Sequence, residues 1–149
     1  MALKQRITDD LKAALLSGDR FVAELLRTLK AAILNEEVAK GKRDEGLDDQ
    51  AIEQVIAKEV KKRSESATLF DKGGRPELAE NELKEAEVLR NYLPEQLSEV
   101  EIQELVKQVI TELGASGPSG MGQVIGAVKK RAGTTADGAL VAEIVKKAL

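Results

Sequence analysis

Apolar residues recur along this chain at intervals of three and four, the spacing that gathers them on one side of an α-helix, and almost nowhere alternate as a strand would require. Leu3, Ile7, Leu11, Ala14 and Leu15 mark a first helix over about 2–16. Ser17-Gly18-Asp19 ends it and offers an N-cap to a second, over about 20–40, whose stripe is Val22, Leu25, Leu26, Leu29 and Ile33. Lys42 to Gly46 reads as a charged loop. Asp48 then caps a third helix, with Leu47 and Ile52 as its hydrophobic staple and Val55, Ile56, Val60, Ala67 and Phe70 continuing the face to Gly73-Gly74. Pro76 suits the first position of a fourth helix, where a missing N–H is harmless. That helix carries Leu78, Leu83, Ala86, Leu89 and Tyr92 and stops before Pro94.

A second group of helices follows. Ser98 and Glu101 have capping-box spacing, with Leu97 and Ile102 as the staple. Ile102, Leu105, Val106, Val109 and Leu113 mark a fifth helix, and Gly114 to Gly120 is a Gly/Ser/Pro loop. A short sixth helix is expected over about 121–131, a turn at Gly133-Thr134-Thr135, and a last helix capped by Asp137 and running to Leu149. The pattern therefore predicts an all-α chain: an N-terminal bundle of about four helices in residues 1–93, a linker at 94–97, and a smaller three-helix domain at 98–149.

Composition narrows the chemistry. The only aromatics are Phe21, Phe70 and Tyr92, so the core is aliphatic. There is no Cys and no His, which removes disulfides, thiolate nucleophiles, Cys/His zinc sites and imidazole bases. Gly120-Met121-Gly122-Gln123-Val124-Ile125-Gly126 fits neither the dinucleotide fingerprint nor a P-loop, so no nucleotide cofactor is expected. Ser116 and Ser119 have no activating base in view. The carboxylate pairs Asp9-Asp10, Glu36-Glu37 and Asp48-Asp49 diverge by about 100° on a helix and read as solvated faces, as does the cluster Lys58, Lys61, Lys62 and Arg63. No catalytic residue, metal ligand or cofactor is therefore assigned. The opening Met1-Ala2-Leu3-Lys4-Gln5-Arg6 is charged, and no apolar run reaches the roughly 18 residues of a membrane span, so a cytoplasmic protein with no membrane partner is expected.

The net charge of −3 argues against DNA and requires any RNA contact to come from a local patch. Such a patch exists. Residues 98–113 carry four acids and one Lys, a net of −3, whereas residues 114–149 carry Lys129, Lys130, Arg131, Lys146 and Lys147 against Asp137 and Glu143, a net of +3. Gly122 and Gly126, four apart, share one face of the sixth helix. Each costs that helix about 1 kcal/mol relative to Ala, so close approach of another helix or of a ribose-phosphate backbone has to compensate.

Several segments in order resemble the YqeY family, whose fold also forms the C-terminal part of the GatB subunit of tRNA-dependent amidotransferases. They are Arg27-Thr28-Leu29-Lys30-Ala31-Ala32-Ile33 with Asn35-Glu36-Glu37, then Gly74-Arg75, then Tyr92-Leu93-Pro94-Glu95-Gln96-Leu97. Met121 to Val128 and Ala136-Asp137-Gly138-Ala139-Leu140-Val141 complete the set, which spans essentially the whole chain. Where family members often have Gly-Arg before Ala-Asp-Gly, this chain has Thr134-Thr135. The resemblance implies two all-α domains and a tail that grips the outer corner of tRNA. It adds Asp137 and Gly138 to the RNA-contact set of Gly122, Gly126, Lys129, Lys130, Arg131, Lys146 and Lys147. The family name also carries carbon–nitrogen ligase activity with glutamine as amide donor. This chain has no glutaminase, amidase or nucleotide-activation centre to support it. The expectation is a non-catalytic tRNA-binding module. Its rivals are an adaptor that docks on a synthetase or amidotransferase, and an accessory factor in amide transfer.

Overall fold

A computed structural model describes residues 2–149. Among them are seven α-helices and no strand: α1 Ala2–Ser17, α2 Arg20–Ala39, α3 Asp49–Lys72, α4 Pro76–Arg90, α5 Glu99–Leu113, α6 Met121–Ala132 and α7 Gly138–Ala148. Single 3-10 turns at Pro118–Gly120 and Gly133–Thr135 precede and follow α6. The chain forms two compact units, Met1–Leu93 and Pro94–Leu149.

Local chemistry sets the helix ends. The Val22 N–H donates to the Asp19 carboxylate at 3.2 Å, and the Ala51 N–H donates to Asp48 at 2.8 Å. Each satisfies an amide that has no partner in the first turn of a helix. Ser98 and Glu101 form the reciprocal capping box, with both bonds at 3.1 Å. At the other end of α5, Gly114 takes the left-handed conformation (φ 60°), which favours glycine.

In the first unit α1 packs on α2 and α3 packs along α4. The core is aliphatic around Ile7, Leu26, Leu29, Leu47, Ile52, Ile56 and Leu89, with Tyr92 at its margin. Two charged residues interrupt it, and both were expected on solvated faces. Glu37 is only 2% exposed. Its Oε2 accepts from Lys4 Nζ at 2.9 Å and from the Leu47 N–H at 3.0 Å, so one carboxylate ties α1, α2 and the approach to α3. Arg63 is buried between the Glu59 carboxylate (2.6 Å) and Glu85 (3.0 Å). Burial of a charge is tolerable because each is paired and hydrogen-bonded.

The Arg63 network also corrects the expected face of α4. The buried stripe is Ala79, Ala86 and Leu89, with half-buried Glu82 and Glu85 beside the α3 seam, while Leu83 turns outward at 48% exposure. Desolvation and the neighbouring Glu85 raise the Glu82 pKa. On α1, Leu15 is likewise outside the core.

The second unit packs α5, α6 and α7 around Ile102, Val106, Val109, Val124, Val128, Val141, Ile144 and Val145. Two hydrogen bonds fasten its entry. The Leu97 N–H donates to the Thr135 carbonyl at 2.7 Å, and Gln96 Nε2 donates to the Thr134 carbonyl at 2.9 Å.

Candidate nucleic-acid interface

All the residues singled out as RNA contacts lie in α6, α7 and the cap between them. Their side chains do not form one patch. Gly122 and Gly126 are exposed on α6, and a Cβ at either would meet nothing within 4 Å. Nothing in this unit therefore packs into the space the missing side chains leave. At about 100° per residue, Lys129 falls on the same stripe of α6, Lys130 at its edge, and Arg131 on the opposite side from Gly122.

Arg131 points to α5. Its guanidinium donates through both terminal nitrogens to the Glu112 carboxylate, one bond at 3.3 Å and the other shorter. This pairing holds the Glu112 pKa down and pushes that of Arg131 up. Lys147 pairs with Glu143 one turn away on α7 at 3.3 Å. Lys129, Lys130 and Lys146 are exposed and, among the described residues, pair with no carboxylate. The five expected phosphate contacts thus divide into three free ammonium groups and two cations already engaged.

Lys129 reaches the start of α7. A Cβ on Gly138 would stand 3.2 Å from the lysine Cε and 3.3 Å from Nζ, so the side chain lies across the first turn of that helix. Asp137 is the N-cap and accepts the Ala139 N–H at 3.1 Å. Its carboxylate is spent on the helix end, which it stabilises. An ammonium group beside the positive end of a helix dipole is an arrangement that favours an incoming anion. Lys146 stands eight residues further along α7, about 12 Å down its axis, and forms a separate point of positive charge.

Sequence reasoning missed Lys107. It is the lone cation of acidic α5 and was lost in the segment's net charge. The fold sets it with Glu99, Gln103, Ile144, Lys147 and Ala148 around a groove of about 240 Å³ between α5 and α7. The available signal was the spacing of 99, 103 and 107, which places those three on one side of the helix. Among the described residues no acidic cluster could hold a metal ion, and no helix is long and apolar enough to cross a membrane.

This is an all-helical protein whose second unit presents free cations beside an open glycine face. A model of the family described as "Yqey-like protein" matches residues 4–149, and the chain belongs to the YqeY family. It is also similar to proteins named "Altered inheritance of mitochondria protein 41, mitochondrial". The one from Lachancea thermotolerans is 36% identical over 74% of this chain and 59% of its own length. The one from Kluyveromyces lactis is 36% identical over 79% of this chain and 62% of its own. The one from Pyrenophora tritici-repentis is 32% identical, with 85% and 71% covered. The matched part is thus under two thirds of the first two relatives.

These names correct the expected location. All are of mitochondrial proteins, and none points to the cytoplasm. The cytoplasmic reading rested on a charged opening from Met1 to Arg6 and on the lack of an apolar run long enough for a membrane span, and the second excludes no soluble compartment. Basic, polar openings also accompany mitochondrial proteins, so that feature does not discriminate between the compartments.

Proposed function

We propose that this chain is a non-catalytic helical module that binds RNA of the tRNA type through its second unit, in a mitochondrial setting suggested by the names of its relatives. The observation that carries the reading is the open face of α6. Gly126 inside the helix costs about 1 kcal/mol and Gly122, its second residue, costs less; neither has a packing partner inside the unit, and the free Lys129 and Lys130 follow one turn beyond Gly126. A ribose-phosphate backbone can come close to a helix at such a place, with its charge met by the ammonium groups and by the first turn of α7. Gly122, Gly126, Lys129 and Gly138 form the centre of this interface, Lys130 its edge, and Lys146 a second contact. Arg131, Asp137 and Lys147 have structural partners and contribute less.

The test is fluorescence anisotropy with bulk tRNA and with duplex DNA of similar size, titrated across salt. The wild type should bind tRNA saturably and DNA weakly. The triple variant Lys129→Gln, Lys130→Gln, Lys146→Gln should weaken tRNA binding and flatten the dependence of log K on log salt by about 2 to 3, roughly one per lost phosphate contact. Unchanged affinity and slope in the triple variant would sink the proposal. Absence of tRNA binding at low salt would favour the adaptor reading, whose own support is Val100 and Leu113, apolar and exposed at the two ends of α5.

A further inference from the structure

The first unit holds a cleft of about 280 Å³ between α1 and α2 that RNA binding does not use. Ile7, Ala31, Ile33 and Leu34 give it an aliphatic wall, and Lys4, Lys30 and Glu37 give it polar groups. Glu37 is 2% exposed and faces this space with a half-used carboxylate. Both of its hydrogen bonds, from Lys4 and from the Leu47 N–H, end on Oε2. Oε1 accepts none among the described residues and is not among their fully buried unpartnered atoms, so it keeps a sliver of exposure on a residue that lines the cleft. The Lys4 hydrogen bond is the main cause of a lowered Glu37 pKa, which keeps the group an ionised acceptor. Lys30, half-buried on the rim, makes no ion pair among the described residues. With Lys4 balanced by Glu37, the cleft keeps one uncompensated positive charge.

We propose that this cleft binds a small aliphatic α-amino acid, its carboxylate on Lys30, its ammonium group on Glu37 Oε1, and its side chain against Ala31 and Leu34. The three ligand parts answer three features of different chemistry that sit on two adjacent helices. A plain carboxylate leaves Oε1 unused, and a plain amine leaves Lys30 unpaired and adds charge to a positive site. Each should therefore bind less well than the zwitterion. The site lies in the first unit and stands whether or not the second unit binds RNA.

The experiment is calorimetric titration of the full chain with L-leucine, isovalerate and isoamylamine, with amide chemical shifts of Ala31, Leu34 and Leu47 followed in parallel. Leucine should bind saturably and shift those amides, and the two half-ligands should bind at least about tenfold more weakly, about 1.4 kcal/mol each. Lys30→Gln removes a rim cation that makes no hydrogen bond or ion pair among the described residues. It should keep the helical circular dichroism and lower leucine affinity about tenfold. Glu37→Gln is a second probe, used only if its melting curve stays cooperative. Absence of leucine binding at about 10 mM, a constant above the range expected for specific small-ligand sites, would overturn the proposal. So would a half-ligand that binds as tightly as leucine, or a Lys30→Gln variant with unchanged affinity.

Discussion

The two units solve the same packing problem with different materials. The first admits charge into its interior, and its polar groups reach across helices: Lys4 to Glu37, Arg63 to Glu59 and Glu85, and Tyr92 to Asp10 at 2.6 Å with Arg6 over its ring at 4.6 Å. The second keeps a core of valine and isoleucine with no buried charge among the described residues. Its interhelical ion pair of Arg131 with Glu112 is exposed. Buried pairs are costly to desolvate and gain little net stability, but they are geometrically demanding, so they fix how α1, α2, α3 and α4 meet. An aliphatic core makes fewer demands of that kind. It leaves the cations of α6 and α7 at the surface, where a partner can use them.

The sharpest way to break this contrast is to remove the acceptor of the first unit. Glu37→Ala strands the Leu47 N–H and the Lys4 ammonium. It should cost about 3 kcal/mol in urea unfolding, lessened to the extent that exposed Lys4 finds water. The pH dependence has the matching sign. A carboxylate whose folded pKa lies below its unfolded value stabilises fully above about pH 4.5, and that contribution is lost as pH falls through the folded value. Acid unfolding of the wild type should therefore contain a component below about pH 4.5 that Glu37→Gln lacks.

A smaller effect of opposite sign is expected on α6. Gly122→Ala and Gly126→Ala place methyl groups in open space on a helix, so Gly126→Ala should raise stability by up to about 1 kcal/mol and Gly122→Ala, in the first turn, by less. If the open face is the RNA contact, both should weaken tRNA binding while they stabilise the fold. Stabilisation with unchanged binding would separate the glycines from the interface. Least of all should come from Arg131→Gln. Because its pair with Glu112 is solvent-exposed, the unfolding midpoint should stay within error, and high salt should erase any remaining difference.

These contrasts follow the line between what the sequence makes legible and what it hides. The caps at Asp19, Asp48, Ser98 and Asp137 were readable because each bond closes over two or three residues. The helix periods were readable for the same local reason. Glu37 and Arg63 were misread as solvent-facing because Lys4 and Glu85, their partners on other helices, lie 33 and 22 residues away, and the i,i+4 pair of Arg63 with Glu59 looks in the sequence like any solvated one. Leu83 was misread with them, since a leucine in helical register is assigned to the core unless a buried charge is known to hold the seam. At the candidate interface the residues were legible but their grouping was not. Three consecutive cations, Lys129 to Arg131, look like one cluster in the sequence, whereas the helix turns Arg131 toward Glu112 and away from Lys129.

The fastening of Gln96 and Leu97 to the Gly133–Thr135 turn has a mechanical consequence. The chain enters the second unit through these residues, and its load is passed directly to the segment from which α7 starts. Tension applied upstream would be borne first by two hydrogen bonds at the carbonyls of Thr134 and Thr135, ahead of the valine core. The Lys129 side chain lies across the next turn of backbone, so the anchored segment and that surface charge are immediate neighbours.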